Sequence, residues 1–258
     1  DKNIGNIILK TAEKNQYGEY VSVSTENIFE CENMAGLNIG VEICEDLWVA
    51  DTPSVNLAEN GATLIFNLSA SDETIGKSDY RKTIVKAKSG SLLCVYAYAD
   101  AGIGESTTDM VFAGHNIICE NGSVLAESEK FTTGLTIADV DIAKMITERR
   151  RSNTFAIKNN IKSYVTSFSF DETETAIERY FAKTPFVPDM ADDRNERCEE
   201  ILNMQAVGLM TRLRHIGCKN AVLGLSGGLD STLALIVAVH AFDMLGLDRK
   251  GIITVTMP

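Results

Sequence analysis

Apolar and polar residues recur along this chain with two different periods, and the switches between them lay out its elements. Residues 37–43 (LNIGVEI) alternate apolar with polar and predict a strand. Residues 62–68 (ATLIFNL) follow the turn pair Asn60-Gly61 and predict a second strand, and residues 92–99 (LLCVYAYA) a buried third. Between them, residues 79–91 have helical spacing, with Tyr80, Ile84, Val85 and Ala87 on one face. Residues 110–119 (MVFAGHNIIC) and 123–128 (SVLAES) flank Glu120-Asn121-Gly122 and predict a hairpin. Residues 134–141 (GLTIADVD) predict a last strand of this block, and residues 21–29 lead into its first.

The spacing is helical from Ile142 to Arg151, which ends in three arginines. Residues 152–190 are polar with scattered aromatics and are punctuated by Pro185 and Pro188, the composition of a connector. A long helical pattern then runs from Asp192 to His215 through Ile201, Met204, Leu209 and Leu213. Residues 220–225 predict a strand, a glycine loop follows, a helix runs from Ser231 to Leu245, and residues 252–257 predict the next strand. Strand, loop, helix and strand in this order predict a parallel α/β sheet. The chain thus divides into residues 1–150, a connector over 151–190, and residues 191–258.

Composition narrows the class. At roughly 150 residues per domain, 258 residues make one large domain or two modest ones, and 45% hydrophobic content suffices for a core. The net charge of −12 repels phosphate backbones and argues against a nucleic-acid partner. No apolar run approaches the ~18–20 residues of a spanning helix, and the first residues lack a secretory signal pattern. A cytoplasmic chain with no membrane partner is expected. The six cysteines form no C-x-x-C pair and read as reduced thiols, and the three histidines are too scattered for zinc. The chain starts without Met and ends straight after a strand-like run, so an internal fragment is expected.

The strongest local motif is LGLSGGLDST, residues 223–232. Gly227 and Gly228 let the backbone turn sharply, and the loop opens into a helix whose first N–H groups lack intrahelical partners. Those donors and the helix dipole favour an anion, and Ser226 and Ser231 add hydroxyls. Asp230 fits an anion pocket only if a divalent cation sits beside it, as Mg²⁺ does between a carboxylate and polyphosphate. The alternative is a plain strand-to-helix turn capped by Asp230 or Ser231. The loop lacks the Gly-Lys-Ser/Thr ending of a Walker loop. The string S-G-G-x-D-S resembles the pyrophosphate loop of ATP pyrophosphatases.

The second motif is GVEICEDLW, residues 40–48. A lone cysteine in an apolar run is usually an inert core residue. Here two carboxylates follow Cys44 directly, which places the thiol at an exposed strand end, where a nucleophile sits. The segment resembles the nucleophile region of the nitrilase superfamily. NLSAS (67–71), GKSDYRK (76–82), YAYADAGIGESTTDMVFAGH (96–115) and ENGSVLAES (120–128), followed by a connector and the glycine loop, resemble one branch of it, the glutamine-dependent NAD synthetases. The resemblance covers about residues 28–258.

That resemblance implies an α-β-β-α nitrilase-like sandwich part, then the start of a parallel-sheet α/β domain of the adenine nucleotide α-hydrolase type. It implies glutamine, ATP and deamido-NAD as substrates, Mg²⁺ as cofactor, and a homo-oligomer. Cys44 matches the nucleophile, and Glu45, Ser71 and Lys77 match glutamine-binding positions. Gly224, Leu225, Ser226, Gly227, Gly228, Leu229, Asp230 and Ser231 match the ATP site, with Met257 on the next strand edge, and Asp230 matches the magnesium ligand. The family's catalytic Glu and Lys have no counterpart in residues 1–27; Lys2, Lys10 and Lys14 lack the flanking pattern. Another glutamine-fed adenylating ligase and a non-catalytic degenerate subunit remain as alternatives.

Overall fold

The computed structural model describes residues 13–14, 20–21, 24–155, 164–188 and 190–256. The chain forms two compact units, Asp1–Arg179 and Tyr180–Pro258.

The first unit holds a short antiparallel pair, β1 (Glu13–Lys14) and β2 (Tyr20–Val21), and a seven-stranded mixed sheet. Its strands are β3 (Asn27–Cys31), β4 (Asn38–Ile43), β5 (Leu64–Ser69), β6 (Val95–Asp100), β7 (Ile117–Glu120), β8 (Ser123–Glu127) and β9 (Tyr164–Phe168). The spatial order is β8-β7-β6-β5-β4-β3-β9. The central strands β4, β5 and β6 run parallel, linked by crossings that carry α1 (Pro53–Glu59) and α2 (Lys77–Ser91). Their carboxyl ends therefore lie along one edge, where open parallel sheets collect ligand-binding loops. β9, drawn from the segment with connector composition, pairs in parallel with β3.

The period of two sorts the side chains between the faces. Ile65, Tyr96, Tyr98 and Ile117 pack with Leu57 and Ala58 of α1 and Val85 of α2. On the other face Val95 lies under Ile142 and Met145 of α3 (Ile142–Arg151). Gly40 in β4 permits the close seating of α1: a Cβ there would lie 2.9 Å from Ile65 Cδ1 and 3.0 Å from Leu57 Cδ1.

Three expectations need correction. The buried stripe of α2 is Ser78, Arg81, Val85 and Ser89, while Tyr80 and Ala87 point to solvent. Polar side chains can face the core here because they are partnered; Ser89 Oγ, for one, accepts the Gly122 N–H at 2.8 Å. Residues 134–141 form no strand, and Leu135 and Ile137 are exposed. Alternation alone does not make a strand: residues 134–141 pair with no strand, and β8 remains the last strand of the sheet on that side. Of residues 110–119 only the last three join β7, because Gly114 turns into the left-handed region (φ +60°) and Asp100 N–H bonds the Asn116 side chain at 2.9 Å.

The second unit comprises α4 (Ala191–Ile216), β10 (Ala221–Gly224), α5 (Leu229–Leu245) and β11 (Ile252–Val255), with β10 and β11 parallel. Both helices end at a left-handed glycine, Gly217 and Gly246. Ala206 and Leu213 of α4 and Val237, Ala238, Ala241 and Phe242 of α5 are buried, whereas Ile201 and Met204 are exposed. Among the described residues no helix is long and apolar enough to cross a membrane.

Candidate active site

β4 ends at Ile43, and the chain turns at once into a 3₁₀ turn, Cys44–Leu47. Leu47 is sunk in the core and anchors that turn. Asp46 caps it: its Oδ2 accepts the Ile43 N–H at 2.8 Å. Cys44 itself has φ +48°, a left-handed conformation unusual for a residue with a Cβ. Its N–H donates to Asn67 Oδ1 at 3.1 Å. The thiol is half-buried at the sheet edge, and Glu45 beside it is exposed.

Other cysteines show what burial does. Desolvation pushes the Cys94 thiol up to about 12 and the Cys119 thiol up to about 11, so both stay protonated and inert at neutral pH. All six cysteines are free.

The loop between β5 and α2 carries the other sequence-derived positions. Ser71 is buried, and its N–H donates to Asp100 Oδ1 at 3.1 Å. Lys77 opens α2, and its Nζ donates to Asp72 O at 2.6 Å and to Asp72 Oδ1 at 2.9 Å. That ammonium holds the Asp72 carboxyl below its ordinary range. Lys77 Nζ also lies 5.9 Å from the centre of the Trp48 ring, and Trp48 stacks on Tyr80 with centroids 5.7 Å apart. The cysteine turn and the start of α2 are thus joined through Trp48. Ser71 and Lys77 sit on one short loop, but both already have partners within the chain.

Beneath this edge lie buried polar groups that the hydrophobic pattern did not disclose. Glu42, two residues before Cys44, accepts from the Tyr96 hydroxyl and, at 2.8 Å, from the Ser54 N–H. Burial and the neighbouring Glu42 carboxylate push the Tyr96 phenol up, which keeps it a donor. Arg81 is fully buried; its Nη1 lies 2.9 Å from Glu73 Oε2 and its Nη2 3.7 Å from Asp100 Oδ2. Burial pushes the Asp100 carboxyl up. Nη1 is also 3.0 Å from His115 Nδ1, and His115 Nε2 is 2.9 Å from Glu127 Oε1. A guanidinium only donates, so Nδ1 is the acceptor and Nε2 carries the proton. Hydropathy gave no signal for this network: Glu42 falls on the polar side of the 37–43 alternation, and Arg81 shares its buried stripe with Ser78 and Ser89.

In the second unit the glycine loop joins β10 to α5 as the sequence implied. Gly227 takes φ +82°, a conformation reserved for glycine, and Gly228 is the extended N-cap residue of α5. Ser231 Oγ lies 3.3 Å from Ser226 Oγ and donates to Gly228 O at 3.0 Å, while Leu225 N–H donates to Val255 O at 2.8 Å. Asp230 is exposed in the first turn of α5. Among the described residues no three His, Cys, Asp or Glu side chains gather as a metal cage. A single exposed carboxylate in the first turn of the helix is a donor of the kind Mg²⁺ takes, its remaining ligands coming from water and substrate phosphates. Met257 lies outside the described residues.

A half-buried cysteine at the end of a parallel strand, on a sharp turn, sits where a nucleophile can reach a substrate. The family model for carbon-nitrogen hydrolase matches residues 9–150, more than half of the chain, and the chain belongs to that family. The NAD synthase family model matches residues 201–258. Three curated relatives extend the match across both units. The glutamine-dependent NAD(+) synthetase of Mycobacterium tuberculosis (strain ATCC 25618 / H37Rv) is 39% identical over 252 residues, 93% of this chain and 37% of its own length. That of Mycobacterium leprae is 40% identical over 242 residues, 90% of this chain and 35% of its own, and that of Aquifex aeolicus 27% over 230, 86% and 37%. The chain thus spans little more than a third of the length of the curated relatives it matches.

Proposed function

We propose that this chain is part of a glutamine-dependent NAD synthetase. Residues 1–150 belong to its glutaminase part and 191–258 to the start of its synthetase part; 151–190 join the two, and residues 164–168 of that stretch add an edge strand to the first unit's sheet. The Cys44 thiolate attacks the carboxamide carbon of glutamine; the carbon–nitrogen bond breaks, ammonia leaves, and water hydrolyses the resulting thioester to glutamate. Glu45, Ser71 and Lys77 lie at the same sheet edge to receive the charged head of glutamine. In the second unit residues 224–231, with Met257 beyond them, hold ATP. The α5 N–H groups and the hydroxyls of Ser226 and Ser231 take the β- and γ-phosphates, and Asp230 holds Mg²⁺, which supplies charge neutralisation of the polyphosphate. The nicotinate carboxylate of deamido-NAD attacks the α-phosphorus and pyrophosphate leaves; ammonia then displaces AMP and forms the amide of NAD. The working protein is a cytoplasmic homo-oligomer.

The observation that carries this reading is the presence, in one chain and in this order, of a strand-end cysteine turn and a glycine loop opening a helix. The test is product analysis of the full-length protein supplied with glutamine, ATP, Mg²⁺ and deamido-NAD. AMP and pyrophosphate are expected in step with NAD. ADP and phosphate in their place would exclude adenylation.

A further inference from the structure

The left-handed backbone of Cys44 needs an explanation that the turn alone does not give. That conformation is disfavoured for an L-residue and persists only where the surroundings over-determine it. Both backbone polar groups of Cys44 face one side chain. The Cys44 N–H donates to Asn67 Oδ1 at 3.1 Å, and Asn67 Nδ2 approaches Cys44 O at 3.5 Å. A primary amide answers a donor and an acceptor of the same residue while staying planar and uncharged at every pH near neutral.

Asn67 is itself held. It is 0% exposed, on the core-facing side of β5, and in register with Glu42 of the adjoining β4. Glu42 in turn is pinned by Tyr96 and by the Ser54 N–H. Because Asn67 is shielded from solvent, its loss takes the Asn67 acceptor away from the Cys44 N–H. The loop that carries Ser71 is tied separately, through Asp100.

From this geometry we infer that Asn67 is a positioning residue that locks Cys44 in its left-handed turn and so aims the thiolate at the glutamine carboxamide. The inference rests on Cys44 being the nucleophile. Asn67 acts after glutamine is bound, so it governs kcat rather than KM. Its amide is also uncharged: Asn67→Asp preserves the shape but adds a carboxyl to a turn that already holds Glu45 and Asp46, with Glu42 in register beside it.

The test uses the full-length protein with Asn67→Leu, Asn67→Asp and Cys44→Ser. Glutamine-driven and ammonia-driven synthesis are measured, together with iodoacetamide alkylation of Cys44 against pH, read at the Cys44 peptide by mass spectrometry. In Asn67→Leu the glutamine-driven kcat should fall about 10- to 100-fold, the size of effect that a misplaced reacting group has. KM for glutamine and the ammonia-driven rate should stay close to wild type. In Asn67→Asp the alkylation midpoint should move to higher pH. This isosteric variant carries the test if Asn67→Leu does not fold. Wild-type kcat and alkylation in both variants overturn the inference, as does a change confined to KM or an equal loss of the ammonia-driven rate. Glutamine-driven synthesis surviving in Cys44→Ser removes the nucleophile and this inference together. Its loss there, with both Asn67 variants unaffected, removes this inference alone.

Discussion

Cys44 follows the carboxyl end of β4 and Cys94 precedes the amino end of β6 in the same sheet, and burial is one difference between them. Cys94 is enclosed and its thiol is pushed up to about 12, whereas Cys44 sits half-buried at a strand end. Cys44→Ala in the full-length protein should therefore abolish glutamine-driven NAD formation and leave ammonia-driven formation intact; an equal loss of both would make Cys44 structural. Arg81 poses the opposite case, a charge held entirely inside. Its removal leaves the Glu73 and Asp100 carboxylates, with side chains 10% and 0% exposed, facing each other without a cation. Arg81→Met should cost about 3–5 kcal/mol, the usual penalty for stranding one side of a buried ion pair. The denaturant midpoint of the first unit's unfolding measures it, and an unchanged midpoint would show that the cluster is not holding the loop.

At the scale of elements, the sequence was legible where period and packing agree. β4, β5, α3 and α5 fall within two or three residues of where spacing alone puts them. The glycine loop was legible too, because a left-handed residue at 227 has one chemical solution. Gly227→Ala should destabilise the second unit by about 1–2 kcal/mol and impair ATP use, since its φ of +82° crowds any Cβ. Asp230→Asn keeps volume and exposure but removes the charge, so glutamine- and ammonia-driven synthesis should both weaken while glutamine hydrolysis persists. An unchanged Mg²⁺ requirement in this variant would make Asp230 a plain helix-start residue. What spacing missed, it missed for physical reasons. The core face of α2 is built from Ser78, Arg81 and Ser89, which hydropathy scores as solvent-facing. Residues 134–141 alternate well but pair with no strand of the sheet. Asn67 reads as one more polar position in a strand, and only the three-dimensional register sets it against Cys44.

At the scale of the molecule, the net charge of −12 means that mild acidification relieves general repulsion. One carboxylate works against that trend. Glu120, at the end of β7 and fully buried, accepts from Arg179 at 2.6 and 2.7 Å, from Lys144 of α3 at 2.9 Å, and from the Asp141 N–H at 2.8 Å. It thereby gathers the sheet, the start of α3 and the last residue of the first unit. Burial alone would raise its pKa, but the hydrogen bonds from Arg179, the Asp141 N–H and Lys144 outweigh that and bring it from 4.5 to about 2. A carboxylate depressed on folding contributes stability that is fully present above its unfolded value and is lost as pH falls through the folded one. The Glu120 contribution, about 2–3 kcal/mol at neutral pH, should therefore hold above pH 4.5 and disappear between there and pH 2. Glu120→Gln should remove it at every pH, lowering the first unit's stability at pH 7 and flattening its acid dependence over that window. Denaturant titrations of both proteins at intervals from pH 7 to pH 3 read this directly. Parallel stability curves would show that the three partners of Glu120 hold the fold without its charge.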